Sequence, residues 1–138
     1  MIDGELRELH IYPPLIEAGV LSVMIGHIAV RNNPTYNTNG LPATCSPEIV
    51  TDLLRDSLGF KGLIVTDAMN MGGVAKVENA NVLVIEAGCD ILLMPLDAEK
   101  AHAELLEKYR ADPEFRKKAD DAAKRVIRMK ICLNLLPA

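Results

Sequence analysis

The sequence predicts an α/β fold with a parallel sheet, and two observations indicate it. Short apolar runs with strand character alternate with helical segments along the 138 residues, in the order αβ-αβ-αβ-αα. The turns from helix to strand are short, whereas the connections from strand to helix are longer. That asymmetry is typical of α/β architectures whose functional loops follow the strands.

The first helix and strand lie within residues 4–30. Apolar positions predict a helix over residues 4–18, interrupted by its proline pair, and Gly19 follows as a C-terminal capping glycine. The apolar run over residues 21–30 then predicts a strand that is buried on both faces.

The second helix and strand follow a long polar loop. Residues 31–45 are rich in Asn, Pro, Thr and Gly, and loops of this length inside a compact domain are usually functional. Ser46 and Pro47 predict the N-cap and first turn of a helix that ends at Gly59. A strand over Leu63–Thr66 is predicted next.

The C-terminal half begins with a second loop over residues 68–76, where Gly72 and Gly73 give the backbone freedom. The other predicted elements are a helix over 78–87, a strand over 90–94, a helix over 98–109 capped by Asp97, and a helix over 113–133.

Composition excludes several classes of function. The net charge is -4, and the acidic and basic residues are interspersed without a basic stripe or a set of stacking aromatics, which argues against a nucleic-acid partner. No apolar run reaches the roughly 18 to 20 residues of a membrane span. The first ten residues, MIDGELRELH, are acidic and amphipathic, unlike a signal peptide, and both cytoplasm and periplasm stay open as compartments.

Neither a metal site nor a cofactor is expected. Cys45, Cys89 and Cys132 show no CxxC spacing, so we expect three free, buried thiols in a reducing compartment. The three histidines lie far apart without ligand-spaced partners. The Gly72-Gly73 pair does not complete a phosphate-binding loop with Lys76.

A carboxylate, Asp67, comes directly after the apolar strand 63–66. In a parallel sheet this residue, His27 and the 31–45 loop would meet at the carboxyl edge, and Asp90 would lie at the opposite edge, where structural roles prevail. From the residues alone, a structural cap is the commoner role of such an aspartate, and catalysis is the alternative.

Ordered motifs along most of the chain give it a family resemblance. The sequence resembles glycoside hydrolase family 3, and within it the β-N-acetylhexosaminidase branch, since Ala68 and Met69 follow Asp67 where the β-glucosidase branch tends to carry an aromatic residue. The motifs that carry the resemblance are Met24 with His27, Ser46-Pro47, Gly59-Phe60-Lys61-Gly62, Thr66-Asp67 and the stretch AGCDILLMP at residues 87–95.

The resemblance implies a fold and a reaction. The fold is a (β/α)8 TIM-type barrel, and residues 1–138 would form its C-terminal fragment, with the last three βα units and the C-terminal helices. The reaction is hydrolysis of terminal β-linked N-acetylhexosamine, or a related β-glycoside, with retention. Asp67 would be the catalytic nucleophile, His27 would bind the sugar or orient Asp67, and Met69 would line the substrate pocket.

The resemblance also implies that the chain is incomplete as an enzyme. A complete barrel needs about 250 residues, and the family's acid/base and most substrate-binding residues belong to upstream motifs that do not occur here. We therefore expect little or no activity from the chain alone. Exposed strand edges predict self-association, or association with the N-terminal half of a barrel.

Two other interpretations of the sequence compete with the glycosidase. The chain would be a non-catalytic α/β assembly or binding module descended from the same family if its site no longer binds sugar. A nucleotide-binding domain requires a glycine-rich turn after the first strand, and GHIAVRNN at residues 26–33 contains one glycine.

Overall fold

The structure is a computed structural model that describes residues 2–137. The strands are β1 (Ile2–Asp3), β2 (Ser22–Ile25), β3 (Val30–Arg31), β4 (Leu63–Ala68) and β5 (Ile91–Leu93). The α-helices are α1 (Tyr12–Glu17), α2 (Ala80–Ala87), α3 (Ala98–Ala111) and α4 (Pro113–Cys132). A π-helix spans Glu48–Ser57, and 3-10 turns span Arg7–Ile11 and Ala43–Cys45.

Three parallel strands form the main sheet in the order β2-β4-β5. Helical segments connect them, the π-helix between β2 and β4 and helix α2 between β4 and β5. This is the parallel α/β arrangement that the alternating sequence predicts, and it forms part of a TIM-type barrel.

One face of the sheet is covered by helices. Ile64, in the central strand β4, is fully buried, and the core around it includes residues of the π-helix, α2 and α4. They include Val50, Val84 and Phe115. Burial of these side chains supplies the main driving force for folding, at about 25 cal/mol per Å² of apolar surface.

The other face of the sheet is open. Paired residues of parallel strands lie side by side on one face, so Met24, Val65 and Ile91 form a row across the three strands. Met24 is 56% exposed, whereas Ile25, which points the other way, is buried. The prediction of a strand buried on both faces is therefore wrong for β2, which is an edge strand covered by helices on one side only.

The N-terminal segment differs from the predicted helix over residues 4–18. Residues 2–3 form β1, which pairs in parallel with β3, and helical structure begins at Arg7. The helical segment does break near the proline pair as predicted, because the 3-10 turn ends at Ile11 and α1 begins at Tyr12. The prolines lie in the first turn of α1, where the backbone N–H that proline lacks has no helical partner. Gly19 follows α1 with φ +85°, as expected of a capping glycine.

The predicted second helix is present but wound as a π-helix. Its end shows the wider turn, because Leu58 N donates to Leu53 O at 2.9 Å, five residues back. The Ser46 hydroxyl does not cap the helix as predicted; it donates to Glu48 Oε2 at 2.6 Å. Gly59, with φ +70°, follows the helix as predicted.

The C-terminal helices agree with the sequence patterns. Asp97 caps α3 by accepting from Lys100 N at 2.9 Å, and Asp112 caps α4 in the same way. The prediction of three buried thiols is wrong for Cys132, which is exposed because α4 ends at the surface. No helix within residues 2–137 has the length and apolar character to cross a membrane.

Candidate active site at the carboxyl edge of the sheet

Asp67 is the penultimate residue of the central strand β4, at its carboxyl end. It is half-buried, and its Oδ1 accepts a hydrogen bond from Ala68 N at 2.7 Å. Within residues 2–137, the other carboxylate oxygen, Oδ2, has no hydrogen-bond partner. One oxygen thus anchors the side chain, and the second is available to a ligand.

A β-bulge shapes this end of β4. Val65 pairs with Ile91 and Ala68 pairs with Leu93, so three steps along β4 match two steps along β5. The Thr66 hydroxyl replaces a backbone acceptor in the interrupted ladder, because Leu93 N donates to Thr66 Oγ1 at 3.0 Å. Bulges bend a strand and re-aim its side chains, and this one lies at Thr66 and Asp67. The sequence analysis did not predict this bulge, which includes Thr66, the buried residue before Asp67.

His27 bonds to the same strand end. Its Nε2 lies 3.0 Å from Ala68 O and its Nδ1 lies 2.8 Å from Thr44 Oγ1. A carbonyl oxygen only accepts, so Nε2 carries a proton and donates. Both ring nitrogens are therefore engaged inside the protein. These bonds hold the end of the strand, and the two roles predicted for His27, contact with a sugar and orientation of Asp67, stay predictions.

The loop after β3 reaches the site at its C-terminal end. Thr44, which holds the His27 ring, is fully buried. Two asparagines at the start of this loop bond to the N-terminal segment: Asn32 Nδ2 donates to Asp3 Oδ1 at 2.8 Å, and Asn33 Nδ2 donates to Gly4 O at 3.0 Å. These bonds tie the loop to the N-terminal strand.

Met69, the predicted pocket-lining residue, follows directly after β4. It is 3% exposed, and its backbone N donates to Leu93 O at 2.8 Å. It also lines an open depression of about 400 Å³ between the loop after β4 and the start of α3. The polar side chains of Lys76, Asn81 and Lys100 share that depression. Its contact with a substrate stays a prediction.

Asp90 lies at the opposite edge of the sheet, as expected. Its Oδ1 accepts from Arg125 Nε at 2.7 Å, and its Oδ2 accepts from Ile64 N at 2.8 Å and from Arg55 Nη2. The carboxylate is fully buried. Burial lowers the pKa of Arg55, and the charge of Asp90 opposes that shift. Asp90 is thus a structural link between β4, β5, the π-helix and α4.

No metal centre accompanies these residues. In the part of the chain that the structure describes, no group of three or more His, Cys, Asp or Glu side chains is placed to hold a metal ion. What the carboxyl edge does offer is the half-buried carboxylate of Asp67, followed by Ala68, whose carbonyl oxygen accepts from the His27 imidazole. Such an edge can supply a nucleophile or an acceptor for hydroxyl groups.

The fold and this edge define a class, the partial (β/α)8 barrels with a carboxylate at the carboxyl end of a strand. The family model described as the glycosyl hydrolase family 3 N-terminal domain matches residues 3–129. The chain belongs to glycoside hydrolase family 3.

Curated relatives and solved structures agree with this membership. A beta-N-acetylglucosaminidase/beta-glucosidase of Cellulomonas fimi is 34% identical over 137 residues, which cover 91% of this chain and 24% of that protein. Beta-hexosaminidase A of Pseudoalteromonas piscicida is 38% identical, over 64% of this chain and 17% of that protein. The crystal structure of a beta-N-acetylhexosaminidase from Beutenbergia cavernae is 35% identical with a TM-score of 0.79, covering 88% of this chain and 36% of that one.

The chain thus spans about a quarter or less of the length of these curated relatives.

Proposed function

We propose that this chain carries the nucleophile of a retaining β-glycosidase that acts on terminal β-linked N-acetylhexosamine. One observation carries the proposal: Asp67 has one oxygen bonded to Ala68 N and the other open, at the carboxyl end of the central strand. In barrels of this type, catalytic groups come from that edge, held by rigid strands.

The proposed chemistry is a double displacement. Asp67 Oδ2 attacks the anomeric carbon, the glycosidic bond breaks, and an ester forms between the sugar and the carboxylate. A carboxylic acid or another proton donor about 5 Å away protonates the departing oxygen, and later deprotonates the water that hydrolyses the ester.

The sugar is proposed from the names of the relatives. Those with the words N-acetylglucosaminidase or hexosaminidase support an N-acetylhexosamine. A relative from Formosa agariphila is named a putative beta-xylosidase, and one similar structure is a beta-glucoside phosphorylase. Tests of substrate must therefore include xylosides and glucosides, with phosphate beside water as the acceptor.

We further propose that residues 1–138 correspond to the C-terminal part of a barrel domain and turn over little or no substrate alone. The proton donor is the missing part. His27 does not fill that role, because both ring nitrogens are bonded to Thr44 and Ala68. Hydrolysis of an aryl β-N-acetylglucosaminide should stay at background; turnover that Asp67→Asn abolishes would contradict this.

The open face of the sheet is proposed to be covered in solution. Met24 is 56% exposed on an edge strand whose outer side has no ladder partner within the described chain. In a pure sample only another copy can cover such a surface, so we propose self-association. In a mixed sample, the N-terminal half of a family barrel is the competing partner.

Covalent trapping tests the nucleophile. The chain is incubated with a fluorinated N-acetylglucosaminyl fluoride, whose good leaving group makes the acid less necessary, and intact mass and peptide mapping follow. We expect one adduct on Asp67 that is lost in Asp67→Asn. An adduct on another residue would refute the assignment. No adduct at saturating reagent would favour the non-catalytic binding or assembly module, in line with the open face.

A further inference from the structure

Side chains hold the end of strand β4 where backbone pairing fails. Towards β2, the ladder ends at the pair Ile25 and Thr66, one residue before Asp67. Towards β5, the bulge interrupts it between Val65 and Ala68. The backbone around Asp67 therefore depends on bonds from outside the regular ladder.

The ring of His27 continues the ladder from β2. The register that pairs Ile25 with Thr66 would bring His27 opposite Ala68. His27 Nε2 donates to Ala68 O at 3.0 Å, so the imidazole supplies the donor on that side. The same carbonyl accepts from Met71 N at 3.0 Å, which closes the turn after the strand.

Thr44 fixes the orientation of that ring. Because Nε2 carries its proton towards Ala68 O, the neutral ring offers Nδ1 as an acceptor, and the Thr44 hydroxyl lies 2.8 Å from it. Thr44 is fully buried in the 3-10 turn Ala43–Cys45. Its backbone oxygen also accepts from Cys89 Sγ at 3.8 Å. The hydroxyl is therefore positioned by the core.

We propose that Thr44 is a positioning residue for Asp67. Its hydroxyl bonds to Nδ1 and fixes the orientation of the His27 ring, and the Nε2–H of the ring holds Ala68 O and so the backbone on which the carboxylate stands. The inference rests on the proposed role of Asp67 as nucleophile, and it assigns the end of the 31–45 loop a specific contribution to that site.

Three variants separate this role from a general effect on stability. Thr44→Val removes the hydroxyl at nearly constant volume, and Thr44→Ser keeps it. The matched control is Thr38→Val, because Thr38 is also a buried threonine of the same loop, and its Oγ1 bonds to Val30 N and O at 3.0 and 3.2 Å. Thr38 has no bond to His27.

Imidazole ¹⁵N spectra at about pH 8.5, above the ordinary titration range of histidine, give the first measurement. In the wild type and Thr44→Ser, we expect His27 with Nε2 protonated and Nδ1 as a hydrogen-bonded acceptor. In Thr44→Val, the Nδ1 resonance should move towards that of a free acceptor, and the Met71 amide should shift with it. An Nδ1–H tautomer in the wild type, or identical spectra in Thr44→Val and Thr38→Val, would overturn the proposal.

The rate of covalent trapping at Asp67 gives the second measurement. We expect trapping to be about tenfold slower in Thr44→Val, the rate equivalent of one ordinary hydrogen bond, and near the wild-type rate in Thr44→Ser and Thr38→Val. If the spectra change as expected but the wild type is not trapped, the proposed role of Asp67 as nucleophile is wrong, whereas the hydrogen bond between Thr44 and His27 is supported. If trapping occurs equally in all variants, Thr44 does not position Asp67.

Discussion

Two aspartates stand at opposite edges of the same three-stranded sheet. Asp90, before β5, is fully buried, and its two oxygens accept from Arg55, Arg125 and Ile64 N. Asp67, near the end of β4, is half-buried, and one of its oxygens has no partner within residues 2–137. The carboxyl groups are chemically the same, but their surroundings differ completely.

The difference teaches that position in a parallel sheet decides how many hydrogen-bond donors reach a carboxylate. At the amino edge, backbone and arginine donors satisfy Asp90, and nothing is left to bind a substrate. At the carboxyl edge, the bulge and His27 hold the backbone and leave part of Asp67 unsatisfied. A fully bonded carboxylate stabilises a fold, whereas a partly bonded one is able to react.

Replacement of each aspartate by asparagine tests the comparison most directly. Asp90→Asn leaves Arg55 and Arg125 without a counter-charge, and we expect it to lower the free energy of unfolding by about 3 kcal/mol. Asp67→Asn keeps an oxygen for Ala68 N, so it should change stability by no more than about 0.5 kcal/mol. Urea unfolding of both variants measures this, and equal losses would remove the distinction between the edges.

Replacing a glycine by alanine should also lower stability more at the amino edge of the sheet than at the carboxyl edge. Gly88, before β5, has φ +111°, and an added Cβ would lie 2.6 Å from Thr51 Oγ1. Gly88→Ala should therefore cost about 2 kcal/mol in unfolding free energy. Gly72, in the loop after β4, has no heavy atom within 4 Å of an added Cβ. Gly72→Ala should be nearly neutral in the same urea experiment; a loss as large as that of Gly88→Ala would show a packed loop.

Charge on the open face should weaken self-association. Met24→Lys places an ammonium group at the edge-strand end of the row Met24, Val65 and Ile91 on the open face, where a second copy would bury it unpaired. We expect the dissociation constant, measured by sedimentation equilibrium, to rise about tenfold, the equivalent of about 1.4 kcal/mol. Leu135→Lys is the control, because Leu135 is 67% exposed after α4 and outside the sheet.

A monomeric wild type at all concentrations would contradict self-association. An equal effect of the two lysine variants would show that the contact between copies is not made by the open face of the sheet.

Thiol reactivity should follow burial. Burial raises the pKa of Cys89 to about 12, with the negative charge of Asp90 adding to the shift, and burial also raises the pKa of Cys45. Since the thiolate is the reactive form, Cys132, which is exposed, should react with iodoacetamide at about pH 8 at least tenfold faster than the other two. Mass mapping of timed samples measures this. Fast labelling of Cys89 in the folded protein would show that the core opens readily.

Local patterns made much of the fold predictable. Apolar runs bounded by glycine and proline located β4 and β5, and Asp97 marked the start of α3. The separation of Asp67 and Asp90 to opposite edges also followed from the sequence, because alternating strands and helices imply parallel pairing. These features depend on residues that are close together along the chain.

Features that depend on distant residues were not predictable in this way. The bulge at Thr66 and Asp67 requires the register of β5, and the bond from His27 to Ala68 joins residues 41 positions apart. The pairing of β1 with β3 involves two residues on each strand, too few for any periodicity. The burial of β2 was overestimated because an apolar run does not reveal whether a neighbouring strand is present.

The parallel sheet has a consequence for the speed of folding. No hairpin can start it, since Ser22 pairs with Leu63 and Val65 with Ile91, across separations of tens of residues. The loop-closure entropies of these two pairings differ by only about 0.4 kcal/mol, so chain length does not decide which pair forms first. Both require β4, and the chain has to search for non-local contacts before any strand is paired. Parallel pairing is therefore slower to form than local helical structure, and during that search the apolar side chains of β4 are exposed to other copies.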